Sequence, residues 1–157
     1  MIIREDGILD SSMCKKLIDI HNNSNEVKKF RDTFILTFFN KEILNIIHKK
    51  FKIKKLLNPD NMEIVKWPMG SFMKKHRDTG DDISFILYLN DNYEGGETIV
   101  DKLKIKPKQG RIVIFNNDKY IHEVKKVNWG VRYTLAGWYK WKNYIIYLVY
   151  QDQVTRF

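Results

Sequence analysis

A mainly β fold resting on N-terminal helices is what this sequence predicts, and three observations lead to it. From Met62 onward, short runs rich in β-branched and aromatic residues recur at close intervals. Turn signals separate those runs: Pro68-Met69-Gly70, Gly80-Asp81-Asp82, Gly95-Gly96, Gln109-Gly110 and Asn128-Trp129-Gly130. Before Asn58-Pro59, by contrast, apolar residues fall at helical spacing. About eight short strands with regular turns suggest a sandwich or jelly roll, with the helices packed on one sheet.

The elements follow in order. Asp10, Ser11 and Ser12 offer N-caps for a first helix carrying Met13, Leu17 and Ile20 on one face, and the Asn22-Asn23-Ser24-Asn25 cluster should end it. A second helix starts near Asn40, turns Ile43, Leu44, Ile47 and Phe51 inward, and stops before Asn58-Pro59. Its other face carries Lys49, Lys50, Lys52, Lys54 and Lys55 and reads as solvated. Strands are expected near 62–67, 71–76, 83–90, 97–100, 103–106, 111–115, 121–124 and 131–139. The apolar run Tyr144–Tyr150 reads as one more strand. The whole, 1–157, is expected to be a single domain: helical support over about 8–58, a jelly-roll core over about 62–140, and a C-terminal strand extension over about 141–157.

Composition narrows the classes. At 43% hydrophobic and 30% charged residues the chain should be globular rather than disordered. The charged start, MIIREDGILD, lacks the apolar core of a signal peptide, and no apolar run approaches the roughly 18 residues of a membrane helix. The one cysteine, Cys14, cannot form an internal disulfide, which fits a reducing cytoplasm; it reads as a small buried hydrophobe. The net charge of +9 hints at an acidic partner, but only 6 of the 28 basic residues are Arg. A phosphate-binding surface would use the forked guanidinium more heavily, so nucleic acid is not favoured.

The chemistry sits in His76-Arg77-Asp78 and a distant His122. Two imidazoles and one carboxylate suit a divalent metal and leave coordination positions open, the arrangement of oxygen-activating non-haem Fe(II). His76 and Asp78 are two residues apart and so fall on one side of an extended segment. Alternation along 131–138 puts Arg132, Thr134, Ala136 and Trp138 on one face. An Arg among small residues on an inward face makes sense opposite a bound carboxylate. Tyr88 shares a face with Ser84 and Ile86 and could add a hydroxyl there. His21 and His48, on the helices, read as surface or core residues rather than ligands. Asn116-Asn117-Asp118 and Tyr120 fit either a solvated loop or a substrate-touching rim.

From about Trp67 to Tyr139 the chain resembles the prolyl-4-hydroxylase-type Fe(II)/2-oxoglutarate oxygenases. The pieces that carry the resemblance are WPMGSFMKKHRD, SFILYLND, YEGGETIV, KIKPKQGRIVIF and IHEVKKVNWGVRYTLAGWY, in the family's order. The resemblance implies a double-stranded β-helix, or jelly roll, with iron held by His76, Asp78 and His122. It implies that Arg132 pairs with the far carboxylate of 2-oxoglutarate, that Tyr88 hydrogen-bonds it, and that Trp67 lines its pocket. Ala136 stands where some relatives have a Thr that touches 2-oxoglutarate, and Thr134 is the substitute. Gly95-Gly96 matches the family's Gly-Gly-x-Thr turn.

The implied activity is hydroxylation of an unactivated C–H bond, with peptidyl proline as the leading target and 2-oxoglutarate decarboxylated to succinate and CO2. Fe(II), 2-oxoglutarate and O2 are the expected cofactors and cosubstrates, with ascorbate as an optional reductant. A peptide or protein is the expected partner and no membrane is expected. A free amino acid or small molecule is the second choice. Nucleic-acid demethylation ranks below it, because Arg132-Tyr-Thr-Leu-Ala-Gly-Trp lacks a second Arg. A catalytically inactive jelly-roll binding module ranks last.

Overall fold

The structure is a computed structural model that describes residues 1–51, 62–80 and 82–139. In chain order the elements are β1 (Ile2–Glu5), α1 (Ser11–Asn23), β2 (Lys28–Phe30), β3 (Thr33–Phe38), α2 (Lys41–Phe51), β4 (Met62–Trp67), β5 (Met73–His76), β6 (Ile83–Tyr88), β7 (Glu94–Gly95), β8 (Thr98–Val100), β9 (Leu103–Ile105), β10 (Ile112–Asn116), β11 (His122–Val124), β12 (Val127–Trp129) and β13 (Arg132–Tyr139).

Both helices begin on side-chain caps. Asp10 Oδ1 accepts from the Met13 N–H at 2.8 Å, and Asn40 Oδ1 accepts from the Ile43 N–H at 3.0 Å. Each satisfies one of the donors that a helix start leaves without a partner. Lys49 and Lys50 lie exposed on α2, as a solvated face requires. The expected tail strand and the stop before Asn58-Pro59 fall outside the described residues.

The described strands form a seven-stranded sheet in the order β1-β10-β6-β13-β4-β3-β2, a four-stranded sheet β5-β11-β8-β9, and a small pair β12-β7. Strand alternation divides the large sheet's residues between two environments. One face presents Leu36, Met62, Ile64, Phe85, Leu87, Ile112, Ile114 and Leu135 to Cys14 and Leu17 of α1 and to Ile43, Leu44 and Ile47 of α2. Each such aliphatic or aromatic side chain contributes about 1.5–3 kcal/mol on burial. The other face meets the four-stranded sheet and the β12-β7 pair: Tyr88, Val113 and Phe115 pack with Val100 and Ile105, and Val65 and Trp67 pack with Val124 and Val127.

Two features of the sequence reading need correction. The first third is not purely helical, because β1, β2 and β3 all precede Met62 and join the large sheet. Asn128 and Trp129, read as part of a turn, belong to β12 opposite Gly95 and Glu94. Cys14 is a free, buried thiol, and burial pushes its pKa up to about 11. His21 is buried, with Nε2 3.1 Å from the Phe34 carbonyl, and belongs to no metal-binding group among the described residues.

Candidate active site

Strand pairing creates the metal-binding geometry. In β11 and β5, His122 and His76 are direct cross-strand partners, so their side chains leave the sheet on the same side. The two ring centroids are 4.1 Å apart. Asp78 lies two residues past His76 and turns to the same point. His76 Nε2 is 3.5 Å from Asp78 Oδ1, and His122 Nε2 is 3.7 Å from Asp78 Oδ2. One ligand atom from each of the three residues falls within 4.8 Å of the others. A metal with bonds of about 2.1 Å needs donors roughly 3 Å apart, so a small contraction would close this set on a cation.

Neighbours hold each donor in place. His76 Nδ1 lies 2.8 Å from the Lys74 carbonyl, which can only accept, so Nδ1 keeps a proton and Nε2 is the atom that presents a lone pair once the ring is neutral. Asp78 Oδ2 accepts from the Ser84 hydroxyl at 2.6 Å and from the Trp138 indole N–H at 2.8 Å. Burial alone would raise the Asp78 pKa. The hydrogen bonds from His76, Ser84 and Trp138, with the nearby His122, override that effect and hold the carboxyl well below the usual range. His76 is raised by its bond to Asp78, whereas burial lowers His122 to about 4. At neutral pH the cluster therefore offers one carboxylate and a neutral His122, the protonation states that bind metal.

The three residues open into a pocket of about 520 Å³ whose walls include Trp67, Arg132, Thr134, Ala136 and Trp138. Its far end is built around Arg132, which is 0% exposed. Arg132 Nη2 donates to Thr98 Oγ1 at 3.2 Å, while among the described residues Nε and Nη1 have no hydrogen-bond partner. Its guanidinium carbon sits 4.7 Å from the Trp67 ring centroid and 5.4 Å from that of Tyr88. A guanidinium is a cation with five donors, and no carboxylate among the described residues meets this one. Burying such a charge without a counter-ion costs several kcal/mol. The arrangement therefore suits an anionic ligand that supplies the missing oxygens. Trp67 Nε1 donates to Thr134 Oγ1 at 3.2 Å, which fixes the indole that flanks the guanidinium.

The approach to Arg132 requires glycine. Gly96 has φ +62°, and a Cβ there would lie 3.1 Å from Arg132 Cδ and 3.1 Å from the Tyr93 ring. Any other residue would be strained and would crowd the arginine.

All seven residues singled out from the sequence gather at this one place, but Tyr88 does not occupy the position expected of it. It does not line the pocket; its hydroxyl donates to Thr98 Oγ1 at 2.7 Å, and the Thr98 N–H bonds back to it at 3.3 Å. Its contact with Arg132 is through the ring and through Thr98. Three partners escaped the sequence reading: Thr98, Ser84 and Trp138. Thr98 stood within the quoted Gly-Gly-x-Thr motif, and Ser84 and Trp138 lay on the inward faces already identified. Tyr120 is drawn away from the pocket, where its hydroxyl accepts from the Met1 amine at 3.2 Å.

Comparison with known proteins agrees with this geometry. The family model described as the 2OG-Fe(II) oxygenase superfamily matches residues 62–140. A PKHD-type hydroxylase of Prochlorococcus marinus (strain MIT 9515) is 29% identical over 141 residues, covering 82% of this chain and 60% of that protein. Prolyl 3-hydroxylase 2 of Homo sapiens is 35% identical over 92 residues, 54% of this chain and 12% of that protein. The chain thus spans less than two thirds of these relatives' lengths. Among solved structures, the 2OG complex of a viral collagen prolyl hydroxylase from Paramecium Bursaria Chlorella virus-1 superposes with a TM-score of 0.73 at 22% identity, covering 90% of this chain and 96% of that one. A Trichoplax adhaerens prolyl hydroxylase, solved with a peptide fragment of a hypoxia inducible factor oxygen degradation domain, gives 0.77 at 17% identity over 88% of this chain and 83% of that one. These similarities show a shared fold.

Proposed function

The chain belongs to the 2OG-Fe(II) oxygenase superfamily, and we propose that it is a 2-oxoglutarate-dependent dioxygenase that hydroxylates peptidyl proline. We read its two larger sheets as the two halves of a double-stranded β-helix, and residues 1–157 as one oxygenase domain. The single observation that carries the reading is Arg132. A buried cation whose Nε and Nη1 meet no hydrogen-bond partner among the described residues shares a pocket with a preformed two-histidine, one-carboxylate set.

His76, Asp78 and His122 would hold Fe(II). When bound, the metal supplies oxygen activation: 2-oxoglutarate and O2 become succinate and CO2, and the second oxygen atom enters a substrate C–H bond as a hydroxyl group. Arg132 would pair with the far carboxylate of 2-oxoglutarate and so fix its reach toward the metal. Trp67 and Thr134 would form the wall beside it. Tyr88 would act at one remove, holding Thr98 against the arginine. Ser84 and Trp138 would keep Asp78 aimed at the metal. The apolar walls Val65, Ile86 and Val124 would limit the water that enters.

Peptidyl proline is favoured because the named relatives and structural neighbours include prolyl hydroxylases, one of them solved with a peptide. The test is an incubation with Fe(II), 2-oxoglutarate, O2 and ascorbate across a panel of proline-containing peptides, reading succinate and peptide mass. The expected result is Fe(II)-dependent succinate with a mass gain of one oxygen atom on a prolyl residue. Modification of a free amino acid alone would move the substrate to small molecules. A protein that forms no succinate under any condition would overturn the enzyme assignment.

A further inference from the structure

One partly buried charged group in the pocket has no part in holding metal or cosubstrate. Glu63 lies on β4, between Ala136 of β13 and Thr37 of β3, and lines the same pocket as the triad. It shares a face with Val65 and Trp67, where an apolar residue would cost less. Among the described residues, no side chain donates a hydrogen bond to it and no cation lies within ion-pair distance. Burial, together with the field of Asp78, raises its pKa, the signature of a carboxylate that lacks a counter-ion.

Its position in the pocket is defined by register. On β13, Arg132 pairs with Trp67, Ala136 pairs with Glu63, and Trp138 reaches Asp78. Glu63 thus lies about 13 Å along the sheet from the arginine's row and about 7 Å from the row of Trp138, at the metal end. Ala136, its partner on β13, contributes only a methyl group, so among the described residues that strand places no polar partner directly beside the carboxylate.

Charge counting gives Glu63 its significance. With a divalent metal and dianionic 2-oxoglutarate in place, the charges of the metal, the cosubstrate, Asp78 and Arg132 cancel. Glu63 is then the uncompensated charge in the pocket interior. Arg31, Lys74 and Lys75 also line the pocket, but they are exposed at its rim and screened by solvent.

We propose that Glu63 selects the substrate: it receives a cationic nitrogen, which for a peptide is the side chain of a Lys or Arg adjacent to the hydroxylated residue. This rests on the oxygenase reading and names the substrate class within it. A partly buried carboxylate and an incoming ammonium or guanidinium would each satisfy the other's charge.

The test uses three peptides that differ only in the residue next to the target proline: Lys, norleucine or Glu. Wild-type protein, Glu63→Gln and Glu63→Lys are compared by kcat/KM for oxygen incorporation, with 2-oxoglutarate binding to the wild type measured in parallel. The wild type should prefer the Lys peptide over norleucine by about tenfold, Glu63→Gln should lose the preference, and Glu63→Lys should favour the Glu peptide. A merely structural role would lower all three rates together and leave their ratios unchanged; that outcome, or a wild type indifferent to the neighbour, overturns the proposal. So does a wild type that consumes 2-oxoglutarate but modifies none of the peptides. Failure of the wild type to bind 2-oxoglutarate would instead overturn the oxygenase reading beneath it.

Discussion

The two faces of the seven-stranded sheet use the same strands for opposite ends. On β13, Leu135 and Tyr139 turn to the helices and pack into a core with aliphatic neighbours. Arg132, Thr134, Ala136 and Trp138, between and beside them, turn to the pocket. The helix-facing side is closed by its own contacts. Among the described residues, the pocket-facing side holds a cation without an anion, a carboxylate within reach of two imidazoles, and a second carboxylate without a hydrogen-bond or ion-pair partner. A face that buries charge without completing its interactions is costly to the free protein, and a ligand is what would complete it.

This contrast predicts that substitutions on the two faces act on different quantities. The largest effect should come from Asp78→Ala, which removes the one anionic donor of the triad and should abolish metal binding in a calorimetric titration with Fe(II) or Mn(II), while the fold persists by circular dichroism. In the wild type, a proton competes with metal at His76, whose pKa is raised by Asp78. Metal affinity should therefore fall on acidification, starting above the ordinary histidine value of about 6.5. A pH-independent affinity would exclude His76 as a ligand.

Next in size is Leu135→Ala on the helix-facing side, which should cost about 2–5 kcal/mol in a denaturant titration because it opens a cavity in a packed core. Arg132, on the other face of the same strand, tests the contrast directly. Arg132→Met should leave the ligand-free fold as stable as the wild type or raise it by about 1–4 kcal/mol, since a buried unpaired charge is exchanged for an apolar side chain. If Arg132→Met destabilised the free protein as much as Leu135→Ala, the two faces would not differ as described.

Tyr88→Phe should cost less, about 0.5–1.5 kcal/mol, because the buried hydroxyl bond to Thr98 Oγ1 is lost. The smallest effect lies outside both faces. Hydrogen bonds from Arg111 and Lys108 hold the Asp6 carboxyl well below its usual range. That stabilisation is present above the unfolded pKa of about 3.9 and is lost as pH falls toward the folded value. Because Asp6 is exposed to solvent, Asp6→Asn should cost only about 0.2–1 kcal/mol at neutral pH, with the difference vanishing in strong acid. Paired thermal melts at the two pH values would check it.

How far the sequence could be read follows the same division. Segments with clean alternation, such as Ile83–Tyr88 and Arg132–Tyr139, displayed both their strand character and their inward faces. Lys28–Phe30 is lysine-rich and exposed along its whole length, so it carries no alternation to detect. Thr33–Phe38 is a short apolar run between two helices, which periodicity cannot distinguish from a helical segment. At the site, residue type and motif spacing pointed to His76, Asp78, His122 and Arg132. The bonds from Ser84 and Trp138 to Asp78, and from Tyr88 to Thr98, depend on register between strands distant in sequence. Glu63 gave no signal alone, since its meaning comes from Ala136 and Asp78 beside it.

The central claim is that Arg132 awaits the carboxylate of 2-oxoglutarate in a pocket whose other end binds metal. The most direct test is an anaerobic calorimetric titration of 2-oxoglutarate into metal-loaded protein, wild type against Arg132→Met. Saturable one-to-one binding to the wild type, weakened about 100-fold or more in the variant, is the predicted result. Equal affinities for the two proteins would contradict it.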